Sequence, residues 1–465
     1  MKISDLLTYK RGKNLFLPAH GRGFALPTDL RRLLRKRPGI WDLPELLDIG
    51  GPLCSIGAIA VSQDESAKVF GADHCWYGVN GATGLLQASL LAIAKPGEAI
   101  LMPRNAHRSL IQACVLGDIV PVLFDIPYLS DRGHAYPPDI DWLNKVLKLT
   151  SSCKLDITAA VLINPTYHGY SSELSILIKR LHKQGLKVLV DEAHGTYFAS
   201  DIDKGLPVSA LKAGADLVVN SLHKSAQGIV QTAVLWSQGQ LVDPSVISRC
   251  LGLLQTTSPS SLLLASCELA LKELTSRSGK RNLSSQIDDA RDVFLRLKNL
   301  GLPLLKNDDP LRLVLHSSYH GICGFDADKW FIKHGIIGEL PEPGTLTFCL
   351  GFNPLKGLAH AMKKCWYKLL LDNTSPKTYP PFPGPNFPLL SHPSMSCSLA
   401  YNSNSNLVML NEAEGLVSAD LVCPYPPGIP VLIPGELLDQ QRINWMLGQH
   451  KFWPNQIPLQ VRVVS

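Results

Sequence analysis

Short apolar runs alternate with stretches of helical periodicity between residues 55 and 275. The runs Glu98 to Pro103, Val120 to Phe124, Ala159 to Ile163, Lys187 to Val190, Leu217 to Asn220 and Thr232 to Trp236 predict strands. Gly84 to Lys95, Ala106 to Leu116 and Ser172 to Gln184 predict helices between them. Strands separated by helices predict an α/β domain with a mostly parallel, buried sheet. From about residue 260 the pattern is helical through Leu300, then mixed strands follow, with a helix near Lys356 to Leu370. Asp372 to Pro393 is dense in Pro and Ser, which predicts a connector and not a packed element. The last segment holds Cys423 to Pro430 and Pro434-Gly435-Glu436, where Pro and Gly fix a rigid loop able to reach back to a site. The expected organisation is an N-terminal segment (1–50), a large domain (51–290), a small α+β domain (291–371), a linker (372–395) and a C-terminal segment (396–465).

In a parallel α/β sheet, ligands sit beyond the carboxyl ends of the strands, and the polar motifs of this chain fall there. Asp216 to Asn220 reads as a buried strand, and Ser221-Leu222-His223-Lys224 follows it. Val188-Leu189-Val190 runs into Asp191-Glu192-Ala193-His194. A lysine amine attacks a carbonyl only when neutral, and burial beside a cation lowers its pKa toward that state. A carboxylate facing a pyridine nitrogen keeps it protonated, and a protonated ring is an electron sink. One strand end with an Asp and another with a Lys are therefore what a pyridoxal phosphate (PLP) site needs. Each residue has a plainer reading too: a surface lysine, and an Asp capping the next helix.

Asn80-Gly81-Ala82-Thr83-Gly84 opens a helix, where free N–H groups and the positive dipole end suit a phosphate. Ser221 and His223 are placed to complete that cup. His107 follows another strand and is placed either to stack on the ring or to bond backbone at a helix start. Ala193 is small enough for a flat ring to lie against it, and His194 is placed to meet substrate or cofactor.

Composition narrows the class. The chain has 465 residues, 45% of them hydrophobic, enough for a large core in more than one domain. A formal net charge of +6 is modest for this length and is no nucleic-acid signature. The five basic residues between Arg31 and Arg37 read as a solvated helix face. Eleven cysteines without a C-x-x-C pair predict reduced thiols, no zinc site and no metal, in the cytoplasm. The start lacks the apolar core of a signal peptide, and no apolar run approaches the ~18 residues of a membrane span.

Taken in order, these motifs resemble the bacterial ornithine/lysine/arginine decarboxylases of PLP fold type I. The resemblance rests on Asp191 to Gly195, Ser221-x-His223-Lys224, Arg104-Asn105-x-His107, Asn164-Pro165-Thr166-Tyr167-x-Gly169, Gln255 to Ser260 and Tyr425 to Pro430, and covers roughly residues 15 to 440. It implies an aspartate-aminotransferase-like large domain with a mostly parallel seven-stranded sheet, smaller α+β C-terminal parts, and the short form without an N-terminal wing. It implies that Lys224 carries PLP, that Asp191 pairs the pyridinium, that His107 stacks on the ring, and that Gly81, Ala82, Thr83, Ser221 and His223 bind phosphate. It also implies a homodimer or larger assembly with sites at the interface, so that Thr257 and Ser258 serve the neighbour's site. The sequence departs from the family at Pro18-Ala19-His20-Gly21-Arg22, where the family reads Pro-Gly-His-Lys, and at Ala82, where it has a hydroxyl residue.

The implied reaction is decarboxylation of lysine, arginine or ornithine to the corresponding di- or polyamine, with Lys224 or His194 as proton donor to Cα. A basic substrate needs an acidic far wall, for which Glu436 and Glu45 are the candidates. Alternatives are an aminotransferase or aldolase of the same fold and a non-catalytic regulatory relative. An aminotransferase needs a small-domain Arg for the α-carboxylate, and no stretch singles one out.

Overall fold

The computed structural model describes residues 12–44, 46–152, 154–202, 204–373, 376–424 and 429–465. Glu45 and Tyr425 to Gly428, singled out above, lie outside them. The chain is built on an eight-stranded sheet. From one edge to the other its strands are Leu390–Ser391, Val120–Phe124, Ala99–Pro103, Ile157–Ile163, Lys187–Asp191, Leu217–Ser221, Ala233–Ser237 and His74–Gly78. The five from Val120–Phe124 to Leu217–Ser221 are parallel. Ala233–Ser237 is antiparallel to both neighbours, so His74–Gly78 points the same way as the parallel five.

Alternation along the strands divides the core between the two faces of the sheet. Leu101, Val122, Leu162, Val188, Val190 and Val218 pack on one face. Ile100, Met102, Leu123, Val161, Leu189 and Val219 pack on the other. Both faces are covered, which is why these strands read as continuous apolar runs. His74–Gly78 escapes the sequence pattern because its apolar run is short and ends in His and Gly.

A second, antiparallel sheet follows the long helix Arg277–Asn299, in the order Leu304–Leu305, Arg312–Leu315, Leu346–Cys349, Leu340–Pro341. The C-terminal segment pairs Ser405–Met409 with Gln460–Val464 and has its own apolar core around Leu432, Ile443 and Met446. No helix among the described residues is long and apolar enough to cross a membrane. The described cysteines are free thiols. Arg31 and Arg32 lie exposed on the helix Thr28–Leu34, with Arg35, Lys36 and Arg37 exposed beyond its end.

Two expectations change. The sheet has eight strands where seven were expected. The eighth, Leu390–Ser391, pairs antiparallel with Val120–Phe124 and comes from the stretch expected to be a mere connector. That stretch is packed: the Phe387 ring lies 3.9 Å from the guanidinium carbon of Arg104. Proline removes ladder donors without preventing burial, and the aromatic residues between the prolines supply the contacts.

Candidate active site

Six strand ends meet at one cavity of roughly 370 Å³, lined by residues at or within a few positions after Gly78, Pro103, Phe124, Ile163, Asp191 and Ser221. Lys224 enters it from the single helical turn Leu222–Ser225. Buried Ser225 holds that turn to the neighbouring strand end: its hydroxyl donates to the Ala193 carbonyl at 3.0 Å and accepts from the Thr196 N–H at 2.9 Å. Lys224 and His194 are thereby brought together, with 3.3 Å between Lys224 Nζ and His194 Nε2.

The protonation pattern of this pair follows from a third residue. Arg312 Nη2 lies 3.1 Å from His194 Nδ1. A guanidinium only donates, so Nδ1 must accept, and a neutral ring then carries its proton on Nε2. Burial, with Lys224 and Arg312 nearby, holds His194 well below the ordinary imidazole range, so the ring is neutral. Nε2–H therefore points at Lys224, and the amine accepts that bond only in its unprotonated form. Burial lowers the Lys224 pKa in the same sense, against the raising effects of Asp191 and Glu339. Tyr167 packs on the His194 ring with 4.6 Å between centroids.

Arg312 is the small-domain arginine that no sequence signal revealed. It stands on the strand Arg312–Leu315, buried, and is absent from the cavity wall. Its place against the large domain depends on Gly169, whose φ is +89° and where a Cβ would come within 2.8 Å of Asp309 and 3.2 Å of Arg312.

Asp191 ends its strand with only 7% exposure. Its Oδ1 accepts the Ala193 N–H at 3.1 Å. Burial raises its pKa, opposed by Lys224 and by that hydrogen bond. The adjacent Glu192 points away into the protein, accepting from the Ala210 N–H at 2.7 Å and from Asn220 Nδ2 at 3.1 Å. His107 caps the helix Arg108–Gly117, with Nδ1 accepting from the Ser109 N–H at 3.3 Å, and it lines the cavity as well. Burial, with Lys224 and Arg108, pushes its pKa down to about 4.

Gly81, Ala82 and Thr83 open the helix Gly81–Ile93, whose Asn80 side chain makes no cap bond. Gly81 has φ +69°, its N–H goes to the Gln231 carbonyl at 2.8 Å, and Gly81, Ala82 and Thr83 line the cavity. Ser221 Oγ lies 3.2 Å from His223 Nδ1 on the same wall. Burial and then Lys224 push the His223 pKa down to about 4.

The structure separates the remaining candidates from this group. Thr257 and Ser258 are exposed in the loop after helix Pro244–Leu254 and do not line the cavity of their own chain. Glu436 is corrected as a far-wall acid. It is buried between Arg104, which it contacts closely, and Arg442, whose Nη1 lies 2.7 Å from its Oε2. Both carboxylate oxygens are engaged, and the residue is not on the wall. Three side chains that sequence reasoning missed meet where His168 and Glu342 line the cavity: His134, His168 and Glu342, all buried, with donor atoms within 4.8 Å of one another. His168 occupied the unread position of Tyr167-x-Gly169, whereas His134 and Glu342 carry no local signal.

The cavity suits PLP on the observations themselves. A carboxylate whose pKa is raised by burial shares one cavity with a lysine whose pKa is lowered by burial, beside a helix N-terminus without a side-chain cap. Such a set is completed by a ring cation, an aldehyde and a phosphate respectively.

Comparison with known proteins bears on the same residues. Residues 41–332 match the family model described as Orn/Lys/Arg decarboxylase, major domain, and residues 387–458 match its C-terminal domain. An arginine decarboxylase of Bacillus subtilis (strain 168) is 28% identical over 447 residues, 92% of this chain and 89% of that one. An inducible lysine decarboxylase of Escherichia coli (strain K12) is 22% identical over 86% of this chain and 68% of that one. Lysine decarboxylase A from Pseudomonas aeruginosa has a TM-score of 0.77 at 16% identity, covering 96% of this chain and 82% of that one.

Proposed function

The chain belongs to the Orn/Lys/Arg decarboxylase family and is a PLP-dependent amino-acid decarboxylase, and we propose that it acts on a basic amino acid, arginine ahead of lysine or ornithine. The order follows the relatives. Those named arginine decarboxylase are 27–28% identical over 90–92% of this chain, whereas the lysine decarboxylases are 22–23% identical over 86%. The products are CO2 and the corresponding amine.

The observation that carries the reading is the linked set Arg312–His194–Lys224 facing Asp191 in one cavity. Bound there, PLP supplies the electron sink for the pair left on Cα as CO2 departs. Lys224 is the residue to bond it. Asp191 would meet the ring nitrogen, and His107 would cover the ring. Gly81, Ala82 and Thr83 with Ser221 and His223 would take the phosphate, and Ala193 would leave room for the ring. Decarboxylation needs the Cα–carboxylate bond held across the ring plane, an orientation effect. Arg312 fixes the His194 tautomer so that an N–H faces the reacting atoms, which makes His194 or Lys224 the proton donor to Cα. The buried Arg312 contacts His194 and does not line the cavity, which favours this reading over an aminotransferase.

The chain works in this reading as a cytoplasmic homodimer or larger assembly, with exposed Thr257 and Ser258 turned to the neighbouring site. The division into large domain, small domain, linker and C-terminal segment is retained as our proposal, with the linker joining the cavity wall. The test is a visible cofactor band that borohydride fixes on Lys224, together with CO2 release measured side by side from arginine, lysine and ornithine. A Lys224→Ala protein that still releases CO2 from them overturns the assignment.

A further inference from the structure

Around Glu342, part of the cavity wall, side chains from three separate stretches of chain meet. Glu342 sits in the turn Pro341-Glu342-Pro343-Gly344, pinned by a 2.9 Å bond from its own N–H to the Thr345 carbonyl. Its Oε2 accepts from His168 Nε2 at 2.6 Å. The His168 ring is stacked on His134, with 3.5 Å between centroids and 13° between planes. His134 Nε2 lies 2.8 Å from Thr345 Oγ1. The carboxylate is thus rigidly held on one side, while its Oε1 has no partner among the described residues and Glu342 is part of the cavity wall.

We propose that Glu342 receives the distal cationic group of the substrate, an ammonium or guanidinium, through its unpartnered Oε1, and that His168 and His134 are the positioning residues that aim it. The proposal rests on the decarboxylase reading above and deepens it. Three further observations favour it. Tyr167 packs on His194, which contacts Lys224, and the next residue along the chain, His168, holds Glu342, so reaction centre and acid lie along one wall. Arg132, a cation that also lines the cavity, is paired with Asp131 at 2.6 Å. Asp125 also reaches the wall, but it lies in the field of the Arg104 guanidinium, which leaves Glu342 as the acid opposite a second positive charge.

The same three side chains have the composition of a metal site, but face-to-face imidazoles direct their ring nitrogens side by side. A metal needs the lone pairs to converge in the ring planes at about 2.0–2.1 Å.

The test uses the holoenzyme and amines that cannot be decarboxylated: cadaverine, agmatine and hexylamine, the last being cadaverine with a methyl in place of one ammonium. Calorimetry is expected to show cadaverine and agmatine binding roughly tenfold or more tighter than hexylamine. Glu342→Gln should erase that preference, leaving hexylamine affinity and the cofactor band on Lys224 unchanged. Should Glu342→Gln fail to fold by circular dichroism, Glu342→Asp keeps the charge but retracts it, and is expected to weaken cadaverine more than the longer agmatine. A cation preference that survives Glu342→Gln, an unchanged cadaverine-to-agmatine ratio in Glu342→Asp, or absence of the preference in the unchanged enzyme overturns the subsite. So does stoichiometric zinc that is lost in Glu342→Gln while the preference stays. CO2 release by the unchanged enzyme reports on the decarboxylase reading by itself, so failure of one is distinguishable from failure of the other.

Discussion

The two ends of the cavity are built by opposite routes. At the cofactor end every group stands within a few residues of a strand's carboxyl end: Lys224 after Ser221, Asp191 on its strand, His107 after Pro103. The far end takes His168, Glu342 and Phe382 from stretches of chain more than thirty residues apart, with His134, from a short strand, stacked on His168. The first arrangement needs only the sheet to be in register. The second needs the small sheet, the Pro-rich stretch and the C-terminal segment all to be docked. In the proposed reading, the cofactor chemistry sits at the ends of the large sheet, while Glu342, proposed to recognise the substrate, directly follows a strand of the small sheet, where change disturbs the large sheet least.

The docking itself can be broken. Glu436 between Arg104 and Arg442, with Phe387 against the Arg104 guanidinium, ties the C-terminal segment and the Pro-rich stretch to the large sheet. Removing one partner of a buried ion pair leaves uncompensated charge, so Glu436→Ala should cost about 3–5 kcal/mol in denaturant unfolding. The far end should loosen first, seen as weakened agmatine binding with the cofactor band retained. A Glu436→Ala protein of unchanged stability would show that the two ends are not held together there.

The cofactor end has the converse signature. Asp191→Asn keeps the shape but removes the charge facing the ring nitrogen, so kcat should fall roughly a hundredfold to a thousandfold, with agmatine binding and stability little changed. Equal losses in kcat and in agmatine affinity would mean that the ends are not separable.

The smallest effect is on pH. Burial holds His134, at the far end, down to about 4, with neighbouring His168 acting in the same sense. Its unfolded value is higher, so the stability it allows is complete above pH 6.5 and is lost as pH falls from there toward 4. Between pH 7.5 and 5.5 the loss from His134 alone is about 1 kcal/mol. His107 and His223 act in the same direction at the cofactor end. Urea unfolding of His134→Asn at the two pH values should show a correspondingly smaller difference than the unchanged protein. An equal difference would remove His134 from the account.

The comparison also explains what was legible. Apolar runs such as Val188-Leu189-Val190 and Leu217-Val218-Val219 announced the sheet, because a strand covered on both faces must be apolar throughout. Lys224 and Asp191 stood out because charged groups directly after such runs fall at the mouth of the sheet. Arg312 did not stand out, since an arginine before Leu313-Val314-Leu315 looks like any strand start until Gly169 lets the loop close on it. Glu436 misled for a related reason. A Pro-Gly-Glu turn shows that an acid is held rigidly, but not that two arginines from distant parts of the chain face it.

By itself, then, the sequence determined the alternating α/β pattern, the strand-end Lys224 and Asp191, and through its ordered motifs the family. Those features depend on periodicity and on neighbours along the chain, which a linear string records. Tertiary structure alone decided the His194 tautomer, the placing of Glu436 inside a brace, and the meeting of His134, His168 and Glu342. Each of these is a contact between residues far apart in sequence, settled only when the pieces pack.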